Sequence, residues 1–150
     1  MKKILLAILL SAFCGLSFAA IMPNPKAEMD WDTVMKMVNQ VPPGPDGWRM
    51  LSVPAKDYEQ SEIQFLFCKS TNTENWGYGM VSPRGAITIV YDVQTDQTFY
   101  SYMGQITPIS KEVALKSQTD FMILANQYGD FEKAHPFVRD VGGVSGGEKT

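Results

Sequence analysis

The chain reads as an α+β domain, a mostly antiparallel sheet of about five strands flanked by an N-terminal and a C-terminal helix. Three observations predict this. Apolar residues recur at helical spacing in two stretches, one near each end. Between them, apolar and polar residues alternate with the period of two that marks half-buried strands. Short hairpin turns at Ser82-Pro83-Arg84-Gly85 and Val93 to Gln97 join the central strands as antiparallel neighbours. No internal repeat, low-complexity block or heptad array interrupts the order helix, strands, helix.

The first 19 residues read as a signal peptide rather than as part of this domain. Lys2 and Lys3 supply a positive start, Ile4 to Phe13 an apolar stretch, and Ser17-Phe18-Ala19 a small-x-small cleavage site. The competing reading is an uncleaved membrane anchor, because apolar character continues to Met22. Ser11, Gly15 and Ser17 within the run favour cleavage. Cys14 follows bulky Phe13, where a lipoprotein signal would carry a small residue. Residues 20–26, with Pro23 and Pro25, form an extended leader; residues 27–140 form the single domain; residues 141–150 are a glycine-rich disordered tail. The destination is periplasmic or secreted, with no stable membrane span after cleavage.

Loss of Lys2 and Lys3 leaves 11 basic against 16 acidic residues. A mildly acidic chain without a basic run has no electrostatic footprint for nucleic acid, and it is compatible with a basic protein partner. Only Cys68 remains beyond Cys14. An exported chain with one cysteine has no internal disulfide and must be held by its core. Cys68 closes the run Ile63-Gln64-Phe65-Leu66-Phe67-Cys68, typical of a strand buried on both faces, so the thiol is read as structural.

The first helix carries Trp31, Val34, Met35, Val38 and Val41 on one side, with Asp30 as N-cap and Asp32 near the positive end of the dipole. Pro42-Pro43-Gly44-Pro45-Asp46-Gly47 ends it. Strands follow at Trp48–Val53 and Glu62–Lys69, joined by a turn at Pro54–Asp57 and followed by the polar loop Ser70–Asn75. Trp76 to Gly104 holds three more strands.

Their register rests on two turns. Pro83 cannot take the positive φ of a type I′ turn, which predicts a three-residue loop Pro83-Arg84-Gly85 with Gly85 left-handed at a bulge. A five-residue loop Val93–Gln97 then sets Tyr91 against Phe99. In this register Trp76, Tyr78 and Met80 share a face with Val90, Tyr100 and Tyr102, opposite Ile87, Ile89 and Tyr91. A slip of one residue at the first turn would merge the apolar side chains of those strands onto one face. The second helix starts after Thr107-Pro108-Ile109 with Ser110 as N-cap. It carries Val113, Ser117, Phe121, Leu124 and Tyr128 on one face and stops at Gly129.

Catalytic motifs fail on context. Gly143-Val144-Ser145-Gly146-Gly147 matches G-x-S-x-G but lies in the tail, without the strand and helix a nucleophile elbow needs. His135 is the one histidine, which excludes two-histidine metal sites and leaves a Cys68–His135 pair as the minimal nucleophilic arrangement. The carboxylates Asp30 with Asp32, Asp57 with Glu59 and Glu62, Asp92 with Asp96, and Asp130 with Glu132 are not fixed across a cleft as glycoside hydrolysis requires. No metal or cofactor is expected.

Two features point to binding. Pro42 to Trp48 forms a stiff protruding loop, with Pro43, Asp46 and Trp48 its contact residues. Trp76, Tyr78, Tyr100 and Tyr102 form an aromatic stripe that suits a sugar ring or a protein surface, unless the second helix buries it. The expectation is a small exported non-enzymatic binding protein, an inhibitor or immunity factor acting on a protein partner. The alternative is a glycan or cell-wall module using the aromatic face.

Overall fold

A computed structural model of the chain describes residues 28–137; the expected signal peptide, leader, tail and G-x-S-x-G match lie outside them. The described residues hold seven strands in one antiparallel sheet and three helices. In chain order these are α1 (Trp31–Val38), β1 (Trp48–Pro54), the one-turn α2 (Tyr58–Ser61), β2 (Gln64–Ser70), β3 (Trp76–Ser82), β4 (Gly85–Asp92), β5 (Gln97–Tyr102), β6 (Gln105–Ile109), α3 (Lys111–Tyr128) and β7 (His135–Pro136), with a 3-10 turn at Phe131–Lys133 before β7. The strand order is β6-β5-β4-β3-β2-β1-β7. Five strands match the expected segments to within about two residues. The other two, β6 and β7, bring the sheet from about five strands to seven.

Helix α1 begins where its cap predicts: the Asp30 carboxylate accepts the Thr33 N–H at 2.8 Å. This hydrogen bond holds the Asp30 pKa below its ordinary value. Val34, Met37 and Val38 face inward and are fully buried. Ser110 caps α3 by accepting the Val113 N–H at 3.1 Å. The face α3 buries is Ala114, Phe121 and Ala125, one position round from the expected stripe. Phe121 alone of that stripe is buried. Val113, Leu124 and Tyr128 stay exposed on the flank.

Both helices cover the same side of the sheet. Val34, Met37 and Val38 of α1 and Phe121 and Ala125 of α3 join Leu51, Val53, Phe65, Phe67 and Tyr78 in one core. Phe121 packs on Phe65, Phe67 and Tyr78 with ring centroids 4.9–5.7 Å apart. The Tyr78 hydroxyl donates to the Ala114 carbonyl at 2.8 Å, pinning α3 to β3. Asn126 joins the helices: its side chain accepts the Met29 N–H at 2.7 Å and donates to the Met29 carbonyl at 2.9 Å. On β2, Phe65, Leu66, Phe67 and Cys68 are all buried, as the continuous apolar run predicts.

The register is the slipped one. Ser82 pairs with Gly85, so the β3–β4 loop has two residues, and Tyr78 faces Ile89 directly. Neither Pro83 nor Arg84 takes a positive φ; Gly85 absorbs the twist at φ +137°. The β4–β5 loop has four residues, Val93 to Asp96, which pairs Tyr91 with Thr98 and Ile89 with Tyr100. Asp96, at φ +57°, makes that tighter closure. Each loop is one residue shorter than expected, and each shift turns one strand's side chains over. Trp76, Tyr78, Met80, Ile87, Ile89, Tyr91, Tyr100 and Tyr102 therefore share one face, the helix side. On the other face of β3, a Cβ at Gly79 would lie 2.0 Å from the Ile87 carbonyl oxygen. Only glycine lets the two strands approach so closely there.

Candidate functional site

The Pro42–Trp48 loop is braced from both ends. The Gly44 N–H donates to the Trp48 carbonyl at 2.9 Å, and the Gly47 N–H donates to the Gly44 carbonyl at 2.9 Å. The Gly47 carbonyl accepts from both the Thr71 N–H at 2.7 Å and the Thr71 hydroxyl at 2.8 Å. Gly47 sits at φ +83°, where a β-carbon would be strained and would also meet the Asn72 side chain. The Asp46 carboxylate accepts the Trp48 N–H at 3.1 Å. The Arg49 guanidinium donates to the Val41 carbonyl, fixing the loop's other root. Pro42, Pro43, Pro45 and Asp46 are exposed. Trp48 is half-buried, walling a recess of about 100 Å³ with Met50, Pro136 and Phe137.

The aromatic stripe is divided. Tyr78 is buried, and Trp76 stacks on it with centroids 6.4 Å apart. Trp31 of α1 covers both, with centroids 5.2 Å from Trp76 and 5.9 Å from Tyr78. Tyr100 is half-buried and Tyr102 is 44% exposed. The four rings thus make no separate flat face. The slipped register places them on the helix side, where α1 and α3 take the inner pair into the core.

That slip leaves an apolar groove outside the helices. Phe121, Ser117, Asp120 and Leu124 of α3 form one wall, and Met80, Ile87 and Ile89 the floor, around a lobe of about 200 Å³. A second lobe of about 230 Å³ shares Met80 and Ile87 and continues past Ile63 and Tyr102 to Arg84 at the hairpin tip. Ile87 is 38% and Leu124 40% exposed. Burial, with a smaller contribution from the negative charge of Asp120, pushes the Tyr78 pKa up to about 12. Sequence reasoning missed the groove. Its signal was the surplus of apolar residues on β4 and on the α3 flank over what one helix could cover.

The nucleophilic pair does not meet. Cys68 lies beside Met50, and His135 beside Ser52 on the far side of β1. Two strand spacings and a two-residue offset put their backbones roughly 12 Å apart. Tyr91, Asp96 and Lys111 do form a titratable cluster. The Tyr91 hydroxyl donates to Asp96, and Lys111 pairs with the same carboxylate at 3.1 Å. The hydrogen bond from Tyr91 lowers the Asp96 pKa, and Asp96 in turn raises those of Tyr91 and Lys111. The cluster ties the β4–β5 tip to the start of α3, so it is a brace on the fold. Among the described residues, no group of three His, Cys, Asp or Glu side chains is placed to hold a metal ion, and no helix is long and apolar enough to cross a membrane.

No family model, curated protein or solved structure matches this chain.

Proposed function

We propose that this is a small exported, non-enzymatic binding protein that engages a protein partner through the Pro42–Trp48 loop, in the manner of an inhibitor or immunity factor. The observation that carries the reading is the bracing of that loop. Its hydrogen bonds to Thr71 and across Gly44, Gly47 and Trp48 hold three prolines outward in one conformation. A loop ordered beforehand loses little entropy on docking, so more of its contact energy appears as affinity. Trp48 at its base is the kind of large, half-covered ring that anchors protein interfaces. The exposed Asp46 and the acidic mature sequence favour a partner with a basic rim.

Photo-crosslinking tests this. A benzophenone side chain replaces Pro43 in the full chain expressed in its native cell, with Glu59 on α2, at the other end of β1, as the control position. The expected result is one discrete adduct from position 43 and none from position 59. Trp48→Ala should weaken capture at least tenfold. Equal labelling from both positions, or capture indifferent to Trp48→Ala, would remove the loop from the reading.

A further inference from the structure

We propose that the groove between α3 and strands β3–β5 is a second binding site, independent of the loop, and that it takes a single-chain anionic amphiphile. Its hydrocarbon chain lies along Met80, Ile87 and Leu124, and its acidic head meets Arg84.

Three observations carry this. The first is the lining. Two lobes of about 200 and 230 Å³ that share Met80 and Ile87 are walled chiefly by apolar side chains, and together they fall within the roughly 300–1,000 Å³ of small-molecule pockets.

The second is the state of the main chain. Met80 is paired to both Phe65 and Ile87, Ile87 to both Met80 and Tyr102, and Ile89 to both Tyr78 and Tyr100. The other wall is the middle of α3, whose amides bond within the helix. The groove therefore offers a buried peptide backbone almost nothing to pair with, and every amide left unpaired there keeps its full desolvation penalty. A hydrocarbon chain has no such groups. Strand addition at the sheet edge does not rescue a peptide either. Counting from the two-residue Met103-Gly104 loop, Gln105, Thr107 and Ile109 direct their main-chain groups at β5. Ile106 and Pro108 direct theirs outward, and Pro108 has no N–H to give.

The third is charge. Arg84 borders the outer lobe on an exposed turn, and among the described residues it makes no ion pair. Its backbone is held by the N–H donated to the Ser82 hydroxyl at 3.2 Å. Asp120, at the inner lobe, already pairs with Lys116 at 3.0 Å. A negative head finds a counter-charge without an ion pair at the Arg84 end and none at the Asp120 end, where Lys116 is already taken, which sets the direction of the chain.

Calorimetry on the full chain with dodecanoate, dodecanol and dodecyltrimethylammonium, each below its micellar concentration, reads this directly. Dodecanoate should bind saturably at one per chain and at least tenfold more tightly than the cationic analogue. Arg84→Gln should weaken dodecanoate about tenfold and leave dodecanol unchanged. Ile87→Asp and Leu124→Asp, both at exposed positions, should each remove binding of both. The proposal is overturned by equal affinity for the cationic and anionic analogues, by indifference to Ile87→Asp and Leu124→Asp, or by displacement of dodecanoate by an uncharged apolar hexapeptide. Sedimentation with phosphatidylglycerol vesicles without dodecanoate binding overturns it too, since it assigns the groove to a membrane surface. Arg84 and Pro43 lie at opposite ends of the strands, so either site can fail without the other.

Discussion

Tyr78 shows how one residue serves both the core and the placement of a helix. Its ring is covered by Trp31 and Phe121, while its hydroxyl reaches the Ala114 carbonyl in the first turn of α3. Removing the hydroxyl with Tyr78→Phe forfeits one buried hydrogen bond, a loss of about 1 kcal/mol that urea denaturation at pH 7 reads as a lower midpoint with an unchanged slope. The same hydroxyl sets an alkaline limit. Its pKa is about 12 in the folded chain against 10.0 when unperturbed, so above pH 10 the unfolded chain loses this proton while the folded chain keeps it. Stability is therefore fully present below pH 10 and declines up to about pH 12. Melting temperatures between pH 9 and 12 should fall more steeply for the wild type than for Tyr78→Phe. Parallel curves would show that this tyrosine does not set the limit. The burial of Tyr78 and the half-burial of Trp76 were not legible locally, because they depend on Trp31, which lies 45 residues before Trp76 in the chain.

At the scale of elements, what was legible followed local chemistry. Asp30 and Ser110 announce helix starts because a short polar side chain satisfies an N–H that the helix cannot. The β2 run announces a doubly buried strand by lacking polar alternation. Gly129 announces the end of α3 for another reason than the one usually invoked. It is extended rather than left-handed, and a β-carbon there would lie 2.5 Å from the Ala125 carbonyl oxygen, where the chain crosses Val53 and Phe65. Strand β6 was hidden by Pro108, which reads as a helix opening. In the sheet, Pro108 occupies an outward-facing position on an edge strand, where its missing N–H costs the ladder nothing and denies a donor to other chains. Pro108→Val should thus change the unfolding free energy read from urea denaturation by no more than about 0.5 kcal/mol while promoting association, seen as a concentration-dependent rise in mass by light scattering. A variant that stays monomeric up to millimolar concentration would show that the edge is guarded by something else.

For the molecule as a whole, the cover is lopsided. α1 lies over β1 and β2, α3 packs on β2 and β3 through Phe121, and the β4–β6 half of the helix side keeps Ile87 and Tyr102 exposed, with Ile106 exposed on the opposite face. Register produces this asymmetry, since the two shortened loops moved every aromatic, isoleucine and methionine side chain of β3–β5 except Phe99 to one side. A period-2 pattern states that a strand has two faces, and it leaves to the turns the question of which faces coincide across strands. Hence the strands could be read while the face that matters for binding could not. Unequal cover means unequal local stability, because amides behind few buried contacts open without global unfolding. Native-state hydrogen exchange should find Leu51, Val53, Phe65, Phe67 and Tyr78 exchanging only through global unfolding. Tyr100, Tyr102 and Thr107, on the uncovered half, should exchange at least a hundredfold faster. Dodecanoate filling the groove should slow exchange at Met80, Ile87 and Ile89 and leave Leu51 unchanged, because only the half that lacks a helix acquires a cover. Uniform protection across all seven strands without ligand would mean that the β4–β6 half is as firmly held as the core, and that the open groove is not a weak side waiting for an occupant.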